Sequence, residues 1–309
     1  MKRALIIDCD PGVDDGVALL LALGSPKLDV LAITTVAGNV EAGLTARNAR
    51  IIRQIAGRED VPVHAGAQAP LVRAPIAAAH FHGVSGLGDL AVFEPAAPLA
   101  SGHAVQAIIE TVMARPPQSV DLAVTGPMTN LALALRLEPA LGARLGTVAI
   151  MGGARSEGGN ITASAEYNIY ADPHAAQIVF DSGATVVAFG LDVTHQVRTN
   201  PDRLAAIASI DNARSAAAVE LLTFSQTVER DLANRVGAPM HDSSPIAWLI
   251  DPSLFTVVPA RIAVETASAL TLGHTAVEFR LDDPQACRTH WAIKADADGL
   301  FDLLIEALA

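Results

Sequence analysis

Cysteine and aromatic residues are scarce in this chain, and no apolar run in it is long. Cys9 and Cys287 are the two cysteines among 309 residues. Two thiols exclude a disulfide framework, and their spacing fits no zinc motif. No apolar stretch approaches the roughly 20 residues that a membrane helix needs, so no membrane partner is expected. Met1-Lys2-Arg3 precedes a short apolar run that ends at Asp8 with no small-residue cleavage site. That argues against a signal peptide, and a cytoplasmic protein is expected. Positive charge is also in deficit, with a formal net charge of −12. Such a chain does not suit a polyanion such as DNA; a small neutral ligand or a cation suits it better. Aromatic residues make up 4% of the chain, which leaves few rings for stacking on a ligand. What the chain does have is apolar bulk, 51% hydrophobic residues and a mean hydropathy of +0.36, enough to bury a large core.

The apolar residues alternate between strand and helix patterns. Residues 4–8 read as a buried strand, 13–23 as a helix, 28–36 as a second strand, 41–56 as a helix and 61–64 as a short strand. This is the signature of a parallel sheet covered by helices on both faces. Residues 68–98, rich in Pro, Gly and Ala, read as a long loop, and such loops in compact domains tend to be functional. The alternation resumes with helices over 103–113, 130–137 and 172–181 and strands over 120–125, 147–151 and 185–191. Residues 201–235 read as mostly helical, 244–250 as a helix, 256–265, 276–281 and 288–294 as late strands, and 299–308 as a closing helix. There is no internal repeat and no linker. The expectation is a single α/β domain over 1–309, with an open, mostly parallel, Rossmann-like central sheet flanked by helices. Ligands of such sheets sit at the carboxyl ends of the strands, and the polar clusters of this chain follow its predicted strands.

The first of these clusters is the densest. Residues 6–20, IIDCDPGVDDGVALL, carry Asp8, Asp10, Asp14 and Asp15 between two apolar runs. Acids in the first turn of a helix are favoured by about 0.3–1 kcal/mol each, and Asp10 before Pro11 suits an N-cap. Four carboxylates exceed what capping needs. A hard cation such as Ca²⁺ or Mg²⁺ would relieve their repulsion with oxygen ligands. An EF-hand is excluded, because Pro11 and Gly12 break its loop and Leu19 stands where its closing glutamate belongs. Asp8-Cys9-Asp10 at the end of a first strand is also compatible with a haloacid-dehalogenase-type phosphatase. That reading lacks its lysine, since Lys2, Lys27 and Lys294 are the only ones, and Asp282-Asp283 is a weak acidic pair.

The stretch DCDPGVDDGVALLLAL resembles the amino-terminal signature of the inosine-uridine nucleoside hydrolases. TVAGNV, TGPMTNLALAL, IMGGA, GGNITASAEYNIYADPHAA and MHDSSPIAWLIDPSLF follow in that family's order and spacing. The resemblance covers roughly residues 4–260. It implies Ca²⁺ held by Asp10, Asp15, Asp242 and the carbonyl of Thr125. It implies hydrolysis of the N-glycosidic bond of a ribonucleoside by water, with Asp10 as general base and Asn39 orienting the water. Asp14, Asn168 and Asp242 correspond to residues that read the 2′ and 3′ hydroxyls, Asn160 and Glu166 to those near the 5′ hydroxyl, and Met151 to a pocket-lining methionine. His241 corresponds to the acid that assists the leaving base. His82, in the loop, is placed to contact the base or close over it. The other histidines read as structural. Tyr167, Phe81 and more weakly Phe224 are the stacking candidates. The helix before the His-Asp pair, FSQTVERDLANRVGAP, lacks the tyrosines common in purine-processing members. The resemblance further implies a homotetramer or homodimer working in nucleoside salvage. Another N-riboside as substrate, or a non-catalytic nucleoside- or ribose-binding protein on the same fold, are the rival readings.

Overall fold

A computed structural model describes residues 2–309. Strand β1 (Arg3–Cys9) enters helix α1 (Val13–Gly24), which leads to β2 (Leu28–Thr35), α2 (Ala42–Ile55) and β3 (Val63–Ala65). The long connection that follows contains one helical turn, α3 (Ala79–His82). Then come α4 (Ala104–Met113), β4 (Val120–Val124), α5 (Thr129–Leu137), α6 (Leu141–Arg144) and β5 (Thr147–Met151). After a glycine-rich loop the chain forms α7 (Tyr167–Ala171), α8 (Pro173–Phe180), β6 (Thr185–Phe189) and α9 (Leu191–Thr194). The last part holds α10 (Pro201–Ala208), α11 (Ala213–Ala233), α12 (Ser243–Ile250), β7 (Phe255–Pro259), β8 (Arg261–Val264), β9 (Thr275–Glu278), β10 (Thr289–Ala295) and α13 (Ala297–Leu308).

Eight strands form one sheet in the order β3-β2-β1-β4-β5-β6-β10-β7. All neighbours in it run parallel except β7, which lies antiparallel along β10 at the edge. The expected Rossmann-like sheet is therefore present, and the order of β1 to β6 is the doubly wound one. The two-residue side-chain period of a strand divides the core in two. Leu5, Ile7 and Cys9 of β1 face one apolar layer with α1, α12 and α13, whereas Ile6 faces the other with α4, α5 and α8. Residues buried on both faces explain why the strands read as continuous apolar runs rather than alternating ones.

Two expected elements differ in detail, and one helical turn was not expected. Residues 256–265 form two strands, because Pro259 brings no N–H to the β10 ladder. The chain leaves the main sheet there, and β8 pairs antiparallel with β9 in a separate two-stranded sheet. Residues 201–235 divide at a turn in which Asp211 adopts φ 56° and Asn212 caps α11 by accepting from the Ser215 N–H. Helix α7 had no periodicity to announce it, being one turn capped by Glu166, whose side chain accepts from the Asn168 and Ile169 N–H groups. Among the described residues no helix is long and apolar enough to cross a membrane.

Candidate active site

The sheet reverses its winding between β1 and β4, and the crevice beyond their carboxyl ends is where a doubly wound sheet binds ligands. Asp10 follows β1 directly and is fully buried. Its Oδ2 accepts the Asn39 backbone N–H at 2.7 Å, while its Oδ1 is buried without a hydrogen-bond partner. The chain makes room for this carboxylate by omitting side chains: a Cβ on Gly38 would stand 2.0 Å from Asp10 Oδ2, and one on Gly126 2.6 Å from Oδ1.

Asp15 sits at the third position of α1 and accepts the Gly12 N–H at 3.0 Å, the reciprocal half of a capping box. Its capping role is real but partial. Asn39 Nδ2 also donates to it at 3.1 Å, and Thr125 Oγ1 donates to its other oxygen at 2.8 Å. Asp242, just before α12, is brought across the fold to the same place. Asp14, Asp15 and Asp242 each offer an oxygen within 4.8 Å of the others. Behind them Asp8 accepts from Thr34 Oγ1 at 2.6 Å and Asn130 Nδ2 at 2.8 Å, and burial pushes its carboxyl up to about 7.

Burial raises all four carboxyls of the front group. Asp10 and Asp242 are driven well above the usual range, first by desolvation and then by the neighbouring aspartates, and Asp15 reaches about 6 by desolvation and the charge of Asp14. Asp14 moves the same way, chiefly by burial. Such crowding favours a cation, which would reverse the shifts. The donors fit a hard one: every offered atom is oxygen, and the oxygens of Asp10 and Asp14 left without partners are buried. The Thr125 carbonyl accepts Asn168 Nδ2 at 2.7 Å and keeps a second lone pair free.

A cavity of about 330 Å³ opens above this floor. Asp14, Asn39, Thr125, Met151, Asn168 and Asp242 line it from the strand ends. Asn160 and Glu166 line it too, but their side-chain oxygens are engaged: Asn160 Oδ1 accepts the Tyr167 N–H, and Glu166 accepts three backbone N–H groups, from Gly153, Asn168 and Ile169. His82 and Phe81 reach the cavity from α3, and Ser225, Val228 and Glu229 from α11. His82 Nδ1 accepts the Val13 N–H at 3.2 Å, and burial lowers its imidazole to about 4. His241 Nδ1 pairs with Thr194 Oγ1 at 2.8 Å, and burial pushes its imidazole well below the usual value.

Among the stacking candidates, Phe81 and Tyr167 line the cavity. Phe224 instead lies against Gly88, where a Cβ would meet its ring at 2.5 Å. Tyr167 donates its hydroxyl to the Ile76 carbonyl at 3.0 Å. Residues that sequence reasoning passed over are also present. His195, read as structural, lines the cavity with its ring 5.7 Å from that of His241, and its Nδ1 pairs with Glu157 at 3.1 Å. Arg235 lines the outer rim. The signal for His195 was its place just beyond β6, at a strand carboxyl end like the other site residues.

A buried oxygen cluster that favours a cation, set with amides on the floor of a cavity that imidazoles also line, at a doubly wound switch point, suits an enzyme acting on a small hydroxyl-bearing ligand. The comparisons narrow that class. The family model described as "Inosine-uridine preferring nucleoside hydrolase" matches residues 5–302, well past the span over which the motifs alone carry the resemblance. The chain is 40% identical to the inosine-uridine preferring nucleoside hydrolase of Crithidia fasciculata, covering 100% of this chain and 98% of that protein. It is 42% identical to the pyrimidine-specific ribonucleoside hydrolase RihA of Salmonella agona, covering 100% and 99%. A purine-preferring ribonucleoside hydrolase from Gardnerella vaginalis superposes with a TM-score of 0.93 at 30% identity, over 99% of this chain and 98% of that one. The chain therefore belongs to the inosine-uridine preferring nucleoside hydrolase family, and is a ribonucleoside hydrolase, an N-glycosyl hydrolase.

Proposed function

We propose that this protein hydrolyses the N-glycosidic bond of ribonucleosides with the help of Ca²⁺, releasing ribose and the free base. The observation that carries the calcium reading is the Asp10 carboxylate, buried between two glycines with one oxygen left without a partner. Asp10, Asp15, Asp242 and the Thr125 carbonyl are the residues to hold the ion. When bound, calcium supplies positive charge that acidifies water and draws in ribose hydroxyls. Asp10 is then deprotonated and takes the proton of the attacking water as general base. Asn39, held by Asp10 and Asp15, orients that water. Asp14, Asn168 and Asp242 read the 2′ and 3′ hydroxyls, with Asn160, Glu166 and Met151 shaping the rest of the ribose site. Glu166 acts there mainly through the backbone it caps. The bond breaks with oxocarbenium character at the anomeric carbon.

His241 serves the leaving base. Burial holds its imidazole well below the usual value, and its Nδ1 is paired with Thr194 Oγ1 at 2.8 Å, which leaves Nε2 as the ring nitrogen for the base. His241→Ala is expected to slow natural nucleosides by about 10²-fold or more, the scale of a lost general acid. An activated aryl riboside, whose leaving group needs no proton, should be almost unaffected. Equal loss on both substrates would reject the role.

Among the described residues α11 lines the cavity with Ser225, Val228 and Glu229 and no ring; a purine, with the larger face to stack, gains least from such a wall, and we propose uridine and cytidine ahead of inosine. The test is free base released from inosine, adenosine, guanosine, uridine and cytidine, followed by chromatography. Release from the pyrimidine nucleosides first is the expected order, and no release from any ribonucleoside would overturn the assignment. We further propose that residues 1–309 act as one domain, in a homotetramer or homodimer, in cytoplasmic nucleoside salvage.

A further inference from the structure

The loop that carries His82 is cross-linked to the loop that carries the aspartates, and a buried amide makes the link. Asn48, on α2, is completely buried. Its Nδ2 donates at 3.0 Å to the Pro11 carbonyl, in the turn between Asp10 and α1, and at 2.9 Å to the Ser85 carbonyl, three residues after His82. Both acceptors are carbonyl oxygens, so only the amide nitrogen can face them, and the orientation of the side chain is fixed by chemistry. The other end is satisfied as well, since Asn48 Oδ1 accepts from Arg47 Nη2 at 3.1 Å, and the same Nη2 donates to Ser85 O at 3.2 Å.

The surrounding backbone is shaped to this bridge. Gly86 adopts φ +87°, and a Cβ there would stand 2.6 Å from Asn48 Nδ2. The segment from His82 to Gly88 is closed on itself by the Gly88 N–H donating to the His82 carbonyl at 2.9 Å, and Leu87 within it is fully buried. Displacement at Ser85 is therefore passed to His82 rather than absorbed between them. A second rung joins the same two segments, the Val13 N–H donating to His82 Nδ1 at 3.2 Å. A third lies beside it, the Ala78 N–H donating to the Asn39 carbonyl at 3.0 Å.

We propose that Asn48 is a positioning residue of the active site: by holding Pro11 and Ser85 together it sets His82 over the cavity and against the first turn of α1. This rests on the hydrolase reading for its consequence in catalysis, but not for the coupling of the two loops. Asn48 touches no lining residue of the cavity through its own amide. Its effect passes through His82, and that is what distinguishes it from an ordinary satisfied core amide.

The test is a double-mutant cycle in the full-length, calcium-loaded protein with uridine as substrate, joined to hydrogen exchange. Asn48→Ala is expected to raise KM by about 10-fold with kcat nearly unchanged, since a displaced His82 loses contact with bound substrate and transition state alike. In the His82→Ala background the same substitution should add less than about a twofold effect, because residues acting through one another are not additive. Amides of residues 78–88 should exchange faster in Asn48→Ala, with exchange in β4 and β5 unchanged. Unchanged KM in Asn48→Ala, or effects that multiply in the double variant, would overturn the proposal. If Asn48→Ala does not fold, Gly86→Ala, which pushes the amide off Ser85, is read by the same outcomes. The exchange measurement needs no turnover. If the wild type releases no base at all, the hydrolase reading fails, and unchanged exchange over residues 78–88 is then the result that overturns the coupling.

Discussion

Removing divalent ions with EDTA is expected to abolish base release, and Ca²⁺ alone should restore it. Burial raises all four carboxyls of this site, and the neighbouring aspartates push Asp10, Asp15 and Asp242 further, so a general base is available at neutral pH only when a cation favours the charged form. Elemental analysis of protein purified without chelator should give about one calcium per chain, the number a single oxygen-lined site of this kind holds. Asp10→Asn keeps the shape of the cradle between Gly38 and Gly126 but removes the base and a ligand. It should lower kcat by about 10²–10⁴-fold, the range for general-base loss. Full activity in calcium-free protein would sink the mechanism. Stability carries the same signature. Asp15 has a folded value of about 6 against an ordinary 3.8, a raised value. Its contribution in the ion-free protein is thus complete below the unfolded value and lost as pH rises through about 6. Melting temperatures in EDTA should fall across that window relative to the calcium-loaded protein. A gap between the two that does not widen from pH 4 to pH 7 would contradict this.

Nucleosides lacking the 2′ hydroxyl should be rejected strongly. Asp14, Asn168 and Asp242 line the floor of the cavity with polar atoms, and a sugar that lacks one hydroxyl leaves buried polar groups without a partner. Sites built to bind a hydroxyl discriminate against its absence by about 10⁴-fold. The ratio of kcat/KM for uridine over 2′-deoxyuridine measures this directly. A ratio below about 10 would mean that the floor does not read the 2′ position, since a mere packing difference is worth about that much.

The inward-facing wall of α11 and the His195–Glu157 pair belong to the outer part of the same cavity. They vary in chemistry from the floor: the floor is carboxylate and amide, the rim is imidazole, hydroxyl and ion pair. This division suits a ligand with one constant polyol end and one variable end.

Much of this was legible in the chain alone because its information is local. A parallel sheet buries both faces of its strands, so β1, β2, β4, β5 and β6 appear as apolar runs bounded by turn residues. The acid crowd between Asp8 and Asp15 is likewise visible without coordinates, because so many like charges in so short a span at the end of a buried strand need a counter-charge. What folding alone decided is which distant groups meet. Asp242 joins Asp14 and Asp15 only because α12 is carried back over the switch point. His195 reaches His241 only because β6 and the segment before α12 end beside each other. The capping of α7 by Glu166 and the break at Pro259 are local, an N-cap over its own turn and a residue without an N–H, but neither shows as periodicity. Asn48 is the clearest case. An asparagine inside an amphipathic helix carries no sign of function in sequence, and its amide acquires one only when the fold brings two carbonyls from separate loops within 3.0 Å of its nitrogen.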